Sequence, residues 1–266
     1  MYYKNIISHY ILRKNIFKRI KMRLNSEKRK LNKNEFDDLV FLFKKLKKEP
    51  KVILDGGANV GFVSFQFFKK FKHSKIYSFE PNPSVFQKLE TNLKKEANFI
   101  FPFNLGISDK KGELEFYKNS NTGTSSFLEP NDFHSSHLAR KYTKINVPVI
   151  SIGEFCLENN ITSIDILKLD IEGFELKALQ GCEKMLITEK IDFVFAEVNL
   201  IPTYSHQCLI EELISYLRTF HYYPYNFYGS HETNFRQSII TNILFISNQT
   251  AKNLNSIHGE NSVYTK

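Results

Sequence analysis

Tryptophan is absent from this chain of 266 residues, and cysteine and methionine occur only three times each. The three cysteines, Cys156, Cys182 and Cys208, are scattered and odd in number, which excludes a fully paired disulfide framework and a closely spaced cysteine metal site. Eleven glycines and eight prolines are too few for a collagen-like or low-complexity chain. These absences indicate a reduced protein with an ordinary globular core.

Long apolar runs are lacking as well. No segment approaches the roughly 18–20 apolar residues that a membrane span needs. Charged side chains such as Lys4, Arg13 and Lys14 interrupt the N-terminal segment where a secretory signal would need an apolar stretch. We therefore expect a cytoplasmic protein.

Acidic residues are nearly absent from residues 1–33, where Glu27 stands alone among eleven basic side chains. This segment has a net charge of +10, which leaves −1 of the chain's total of +9 for the remaining residues. The near-neutral body argues against a nucleic-acid partner. The basic segment has a helical apolar stripe, and three roles stay open for it: capping the domain, docking on a partner enzyme, or peripheral contact with the inner face of an anionic membrane.

The pattern changes from residue 51, where short apolar strands alternate with helical segments. Strands are predicted at residues 51–54, 75–79, 98–103, 164–169 and 192–198, with weaker ones at 222–227 and 239–246. Helices are predicted at residues 60–72, 84–96, 174–186 and 207–220. Such alternation is typical of an α/β fold whose mostly parallel sheet is covered by helices on both faces. The predicted organisation is a basic helical arm (1–48), one main domain (49–248) and a polar, flexible tail (249–266).

A glycine-rich turn follows the first strand and opens a helix. It has the sequence Asp55-Gly56-Gly57-Ala58-Asn59-Val60-Gly61. Glycines let the backbone turn tightly and approach a ligand, and Glu80, at the end of the next strand, can accept hydrogen bonds from both hydroxyls of a ribose. Ala58 stands where a dinucleotide fingerprint has glycine, and the Asp55 carboxylate would repel a pyrophosphate. The Asp55 carboxylate suits instead a cationic ligand with an amino group, such as S-adenosylmethionine.

Several motifs in a fixed order resemble the FkbM family of S-adenosylmethionine-dependent methyltransferases. They are the glycine turn just described, Phe79-Glu80-Pro81-Asn82-Pro83, Gly123-Thr124-Ser125-Ser126, and Ile166-Leu167-Lys168-Leu169-Asp170-Ile171-Glu172-Gly173-Phe174-Glu175, followed by Leu179-Gln180-Gly181. The resemblance implies a class I methyltransferase fold, a Rossmann-like seven-stranded sheet whose last strand is antiparallel. It also implies O-methylation of a sugar, glycan or other small metabolite. The alternatives are an NAD(P)-dependent oxidoreductase of Rossmann type and a non-catalytic nucleotide-binding module.

The resemblance also implies a set of cofactor-binding residues. Asp55, Gly57, Asn59 and Gly61 would line the methionine end, Glu80 would bind the ribose hydroxyls with Asn82 nearby, and Asn104 and Ser108 would lie near the adenine.

Charged residues follow one another at alternate positions on a probable central strand. Lys168, Asp170 and Glu172 point to one face if the strand persists, and Glu197 and Asn199 repeat the spacing on the next strand. An alcohol needs a base or a metal to remove its proton, so we take Asp170, Glu172 and Glu197, with Lys168, as the catalytic candidates.

Two alternatives stay open at this edge. Asp170, Glu197 and Asn199 could hold Mg²⁺, which prefers oxygen ligands. Our first expectation, however, is that the protein has no resident metal. Lys168 and Asp170 could instead form an internal ion pair that holds the loop.

Overall fold

The centre of the protein is a seven-stranded sheet, seen in a computed structural model that describes residues 34–131, 142–232 and 238–258. Its strands are β1 Val52–Gly56, β2 Lys75–Phe79, β3 Ile100–Phe103, β7 Ile164–Leu169, β8 Ile191–Asn199, β9 Tyr222–Glu232 and β10 Ser238–Ser247. The order across the sheet is β3-β2-β1-β7-β8-β10-β9. Residues 1–33, where we predicted a basic arm, lie outside the described parts of the chain.

All neighbouring strands from β3 to β8 run parallel, and β10 pairs antiparallel with both β8 and β9. This confirms the predicted sheet, including its antiparallel last strand. Strand β7 has the sequence IDILKL and is buried at every residue, its charged Asp165 and Lys168 included, because helices cover both of its faces.

Two layers of helices enclose the sheet. The helices are α1 Glu35–Lys45, α2 Phe62–Lys70, α3 Pro83–Leu93, α4 Ile152–Glu158, α5 Glu175–Gln180, α6 Glu183–Ile187, α7 Ile210–Thr219 and α8 Asn248–His258. Apolar side chains from α1, α2, α3 and α8 form one core with the sheet, and those from α4 to α7 form the other. None of the helices within the described ranges is long and apolar enough to cross a membrane.

The folded body extends beyond the predicted domain boundaries at both ends. Helix α1, which we assigned to the arm, buries Leu39, Leu42 and Phe43 in the core. Its Asp38 accepts a hydrogen bond from the Tyr228 hydroxyl at 2.8 Å. The tail predicted to be flexible begins with α8, whose Ala251 is buried. Both segments belong to the body because they bury apolar side chains against it.

A second, three-stranded sheet stands beside the main one. It consists of β4 Gly106–Ser108, β5 Gly112–Asn119 and β6 Tyr142–Ser151 in the order β4-β6-β5, with β5 and β6 antiparallel.

The helix predicted at residues 174–186 is divided into α5 and α6. The break falls at Gly181, where an added β-carbon would lie 2.4 Å from the backbone oxygen of Ser108. Gly181 is the C-cap of α5, and the close approach of Ser108 leaves no room for a side chain there.

Candidate active site

A cavity of about 270 Å³ opens at the carboxyl ends of β1, β2 and β7. Parallel α/β sheets bind ligands at this edge. Most of its lining comes from residues 57–60, 79–81, 105–107 and 170–172, with additions from the start of α2 and from the loop that follows β5. The predicted residues Gly57, Asn59, Glu80, Lys168 and Asp170 are among those that line it, and so is Glu172.

The glycine turn has a backbone that other residues would not tolerate. Gly57 has φ +74°, and an added β-carbon would lie 1.9 Å from the backbone oxygen of Asp170. Asn59 also adopts a left-handed conformation, with φ 48°. Gly61 has φ +92°, but its missing side chain makes room for Leu89 and Leu93 of α3, and it does not line the cavity. Gly61 therefore packs two helices together instead of contacting a ligand.

Asp55 lies beneath the turn and not in the cavity wall. Its side chain is fully buried, and its Oδ2 accepts a hydrogen bond from Ser64 Oγ at 2.5 Å. Its Oδ1 lies 3.0 Å from Lys168 Nζ. Asp55 thus acts on the cavity through the turn above it and through its partner lysine.

The Lys168 ammonium group ties β7 to the glycine turn. Its side chain is 2% exposed, and Nζ donates to the carbonyl oxygens of Gly56 and Gly57, both at 3.0 Å. Nζ also lies 3.4 Å from Asp170 Oδ2. Burial acts to lower the pKa of Lys168, but the attraction of Asp55 and Asp170 outweighs it and raises the pKa above the ordinary value. Lys168 is therefore a permanent cation. The ion pair between Lys168 and Asp170, one of the two alternatives raised from the sequence, is part of a larger network.

Glu80 presents its carboxylate at the cavity wall in a fixed orientation. Oε2 accepts a hydrogen bond from the backbone N–H of Asn59 at 3.0 Å, and Oε1 accepts one from the backbone N–H of Asn82 at 2.8 Å. Each carboxylate oxygen has a further lone pair available to a ligand. Burial raises the pKa of Glu80 to about 7. Two hydroxyl donors from a ribose would favour the charged form.

The three remaining predicted cofactor residues lie outside the cavity lining. Asn82 begins α3, and its side chain accepts a hydrogen bond from the backbone N–H of Ser84 at 3.2 Å. Asn104 Nδ2 donates to the backbone oxygen of Glu80 at 2.8 Å. Ser108 Oγ donates to Asp109 at 3.1 Å. The first two residues shape the segment that carries Glu80, and Ser108 is buried in the second sheet.

Three carboxylates meet beside the cavity. One oxygen each of Asp170, Glu172 and Glu197 lies within 4.8 Å of the others. Two ionised carboxylates at that separation repel each other by about 3–4 kcal/mol at an effective dielectric constant near 20. Burial and the charge of Asp170 accordingly raise the pKa of both Glu172 and Glu197 well above the ordinary value. The cluster therefore favours the protonated forms of Glu172 and Glu197, and Lys168 Nζ lies 3.4 Å from Asp170 Oδ2.

Tyr204 connects this cluster to the loop after β5. Its hydroxyl lies 2.9 Å from Glu172 Oε2 and 3.0 Å from the backbone oxygen of Thr124. Ser126 Oγ donates to the backbone oxygen of Glu172 at 2.7 Å. These contacts hold Glu172 in a left-handed conformation with φ 57°. Tyr204 lies in an irregular segment without a motif, so its contact with Glu172 could not be predicted from residue types or spacing.

The same carboxylates are the described residues that could bind a divalent cation, since Asp170, Glu172 and Glu197 together offer three oxygen ligands. The set that the sequence proposed differs from this one. It included Asn199, whose Oδ1 is 3.5 Å from Thr203 Oγ1, and it omitted Glu172.

Comparison with known proteins finds a family that matches this chain. Residues 55–226 match the family model described as the methyltransferase FkbM domain. The chain is 24% identical over 164 residues to the hexuronic acid methyltransferase AglP of Haloferax volcanii, covering 61% of this chain and 62% of that protein. It is 24% identical over 183 residues to the 2-O-methyltransferase NoeI of Sinorhizobium fredii, covering 66% and 74%.

Solved structures of low sequence identity also resemble the chain. One is the magnesium protoporphyrin IX methyltransferase of Synechocystis with bound S-adenosylmethionine, at 11% identity and a TM-score of 0.43, covering 80% of this chain and 77% of that one.

Proposed function

We propose, on the premise that this chain belongs to the FkbM methyltransferase family, that it transfers a methyl group from S-adenosylmethionine to a hydroxyl of a sugar or another small metabolite. The family membership confirms the resemblance seen in the motifs. The observation that carries the proposal is that one cavity is lined by two carboxylates, Glu80 and Asp170, to which we assign ribose binding and base catalysis.

The cavity wall fits the cofactor in three parts. Glu80 accepts the ribose hydroxyls, because its oxygens are oriented by two backbone N–H groups. The turn at Gly57 and Asn59 leaves room for the methionine end, and Leu105 and Ile107 offer apolar surface to an adenine. The Asp55–Lys168 pair lies behind the turn and fixes its carbonyl groups.

Asp170 is the base in this proposal. Its side chain is 38% exposed, and Lys168 Nζ lies 3.4 Å from its Oδ2. The bound cofactor supplies a methyl group on a positively charged sulfur. Asp170 would accept the proton of the acceptor hydroxyl, so that the hydroxyl oxygen could take up this methyl group. Glu172 lines the cavity beside Asp170, and Glu197 completes the carboxylate cluster next to them.

The acceptor class follows from two observations. A hydroxyl is uncharged, so it approaches the three carboxylates without the repulsion that an anionic acceptor group would meet. The relatives named above are a hexuronic acid methyltransferase and a 2-O-methyltransferase. Both names support a sugar or glycan acceptor for this chain, and the proposed reaction has no step that needs Mg²⁺.

Calorimetric titration of the full chain tests the cofactor. We expect binding of S-adenosylmethionine and S-adenosylhomocysteine, and none of NAD. Glu80→Ala should abolish binding because the ribose loses its acceptor, whereas Glu90→Ala, an exposed change on α3, should leave it intact. Binding of NAD alone, or normal affinity in Glu80→Ala, would reject the proposal.

Kinetics with the donor and a glycan acceptor test the base. Asp170→Asn should lower kcat by about 10²–10⁴, the usual contribution of a general base, and should preserve cofactor affinity. The same assay is repeated with added Mg²⁺ and with a chelator, to test whether turnover depends on the metal. Full turnover in Asp170→Asn would move the role to another group.

The basic segment 1–33 would determine where the enzyme is located and would take no part in the reaction. We propose that it docks the enzyme, within the cytoplasm, on a partner or on an anionic membrane. Deleting residues 1–30 should then remove any binding to vesicles that contain phosphatidylglycerol. Equal vesicle binding by both chains would exclude the membrane.

A further inference from the structure

The mouth of the cavity has two exposed apolar side chains. Val60 and Phe62 both line it, and they are 38% and 67% exposed. Other large apolar side chains of the described residues are exposed too, but they lie away from this cavity: Phe41, Leu157, Ile187, Phe227 and Ile257. Scattered exposed apolar residues are normal on a protein surface. A pair of them at the entrance of a ligand cavity is a surface that the ligand can cover.

Local structure fixes Phe62 at this entrance. It is the first residue of α2, directly after Gly61, whose φ of +92° turns the chain into the helix. Because the helix start is held by the packing of Gly61 on α3, the position of Phe62 does not depend on a flexible loop.

Polar and apolar groups face the same space. Asp170 and Glu172 line the cavity together with Phe62. A pyranose ring has matching chemistry: polarised C–H groups on its faces and hydroxyl donors at its edge. The negative face of an aromatic ring attracts such C–H groups, and carboxylates accept hydrogen bonds from hydroxyls.

We infer that Phe62, with Val60 beside it, is the surface on which the sugar ring of the acceptor stacks, so that Phe62 selects carbohydrate acceptors. The inference rests on the proposed function and deepens it by naming the residue that recognises the substrate class. Phe62 positions the acceptor and exchanges neither the proton nor the methyl group.

The absence of tryptophan allows a direct binding test. Phe62→Trp places a single tryptophan at the cavity mouth, and Phe41→Trp places one at a 51% exposed position on α1, outside the cavity. The probes are a panel of methyl hexopyranosides, deoxyhexopyranosides and hexuronides, with sorbitol as the open-chain control, each titrated with S-adenosylhomocysteine present. We expect a saturable change in the emission of the residue-62 tryptophan with at least one glycoside, and none with sorbitol or in Phe41→Trp. No response to any glycoside, or an equal response in both variants, would overturn the inference.

Steady-state kinetics with a glycoside acceptor give the second measurement. Phe62→Ala should raise the acceptor KM roughly three- to tenfold, the range of an aromatic contact, with little change in kcat or in the Kd of S-adenosylhomocysteine. Phe62→Tyr should restore KM, because it keeps the aromatic face, and Phe41→Ala should have no effect. An unchanged KM in Phe62→Ala, with normal cofactor binding and turnover, refutes this inference alone. Failure of the unmodified chain to bind the cofactor refutes the proposed function instead.

Discussion

Lys168→Met removes the buried ammonium group and fills nearly the same volume. In the native protein, Nζ lies 3.0 Å from Asp55 Oδ1 and donates to the carbonyl oxygens of Gly56 and Gly57. Both charged side chains are buried, so the variant leaves the Asp55 carboxylate without its counter-ion. Breaking a buried pair on one side costs about 3–5 kcal/mol. At about 2–4 °C for each kcal/mol in a domain of this size, we expect the melting temperature to fall by roughly 6–20 °C.

Urea unfolding followed by circular dichroism measures this cost as a lower midpoint with an unchanged slope. The double variant Lys168→Met/Asp55→Asn should recover much of the loss, because removing both charges of a buried pair is often nearly neutral. Lys144→Met is the matched control, since Lys144 pairs with Glu115 at an exposed site, and its midpoint should not move. A loss below about 1 kcal/mol in Lys168→Met, or no recovery in the double variant, would show that the pair does not hold the turn.

Other predictions concern titration, the glycine turn and the loop after β5. Between about pH 7 and pH 4.5 the folded protein should gain stability as the pH falls. Burial raises the pKa of Glu80 and Glu175 to about 7, so in this range the folded state binds more protons than the unfolded chain. Glu175→Gln should flatten this trend in thermal melts. Gly57→Ala should prevent stable folding, since its β-carbon would lie 1.9 Å from a backbone oxygen, whereas Gly123→Ala, with its nearest neighbour at 3.8 Å, should melt normally. Tyr204→Phe should cost about 1–3 kcal/mol in urea unfolding and speed amide exchange in the loop that its hydroxyl holds; exchange as slow as in the unmodified protein would contradict that role.

The main sheet was predictable because its signal is local. Most of its strands are short runs rich in apolar residues, and β7 is buried along its length although it contains Asp165 and Lys168. The break at Gly181 and the docking of α1 were not predictable in this way. Both depend on contacts with distant segments, such as the approach of Gly181 to Ser108, and a sequence window contains only one side of such a contact.

The candidate site divides along the same line. Gly57, Asn59 and Glu80 belong to motifs whose residue types state their chemistry, and the structure places all three at the cavity. A motif does not indicate whether a residue lines the cavity or lies behind its lining. We therefore expected Asp55 and Gly61 at the ligand, although both lie outside the cavity lining. Tyr204 gave no signal at all, because its importance comes from reaching Glu172 and Thr124 across the fold.

The anchoring of the glycine turn by Lys168 has a consequence for how the enzyme is made. The hydrogen bond between Lys168 and Gly56 joins residues 112 positions apart in the chain, and β1 lies between β2 and β7. A nascent chain that has just emerged past β2 and β3 has the turn but neither its anchoring cation nor the strand on its other side. Closing so long a loop carries an entropic cost before any contact repays it. Competence to hold the methyl donor is thus acquired late in synthesis, when the second half of the sheet arrives.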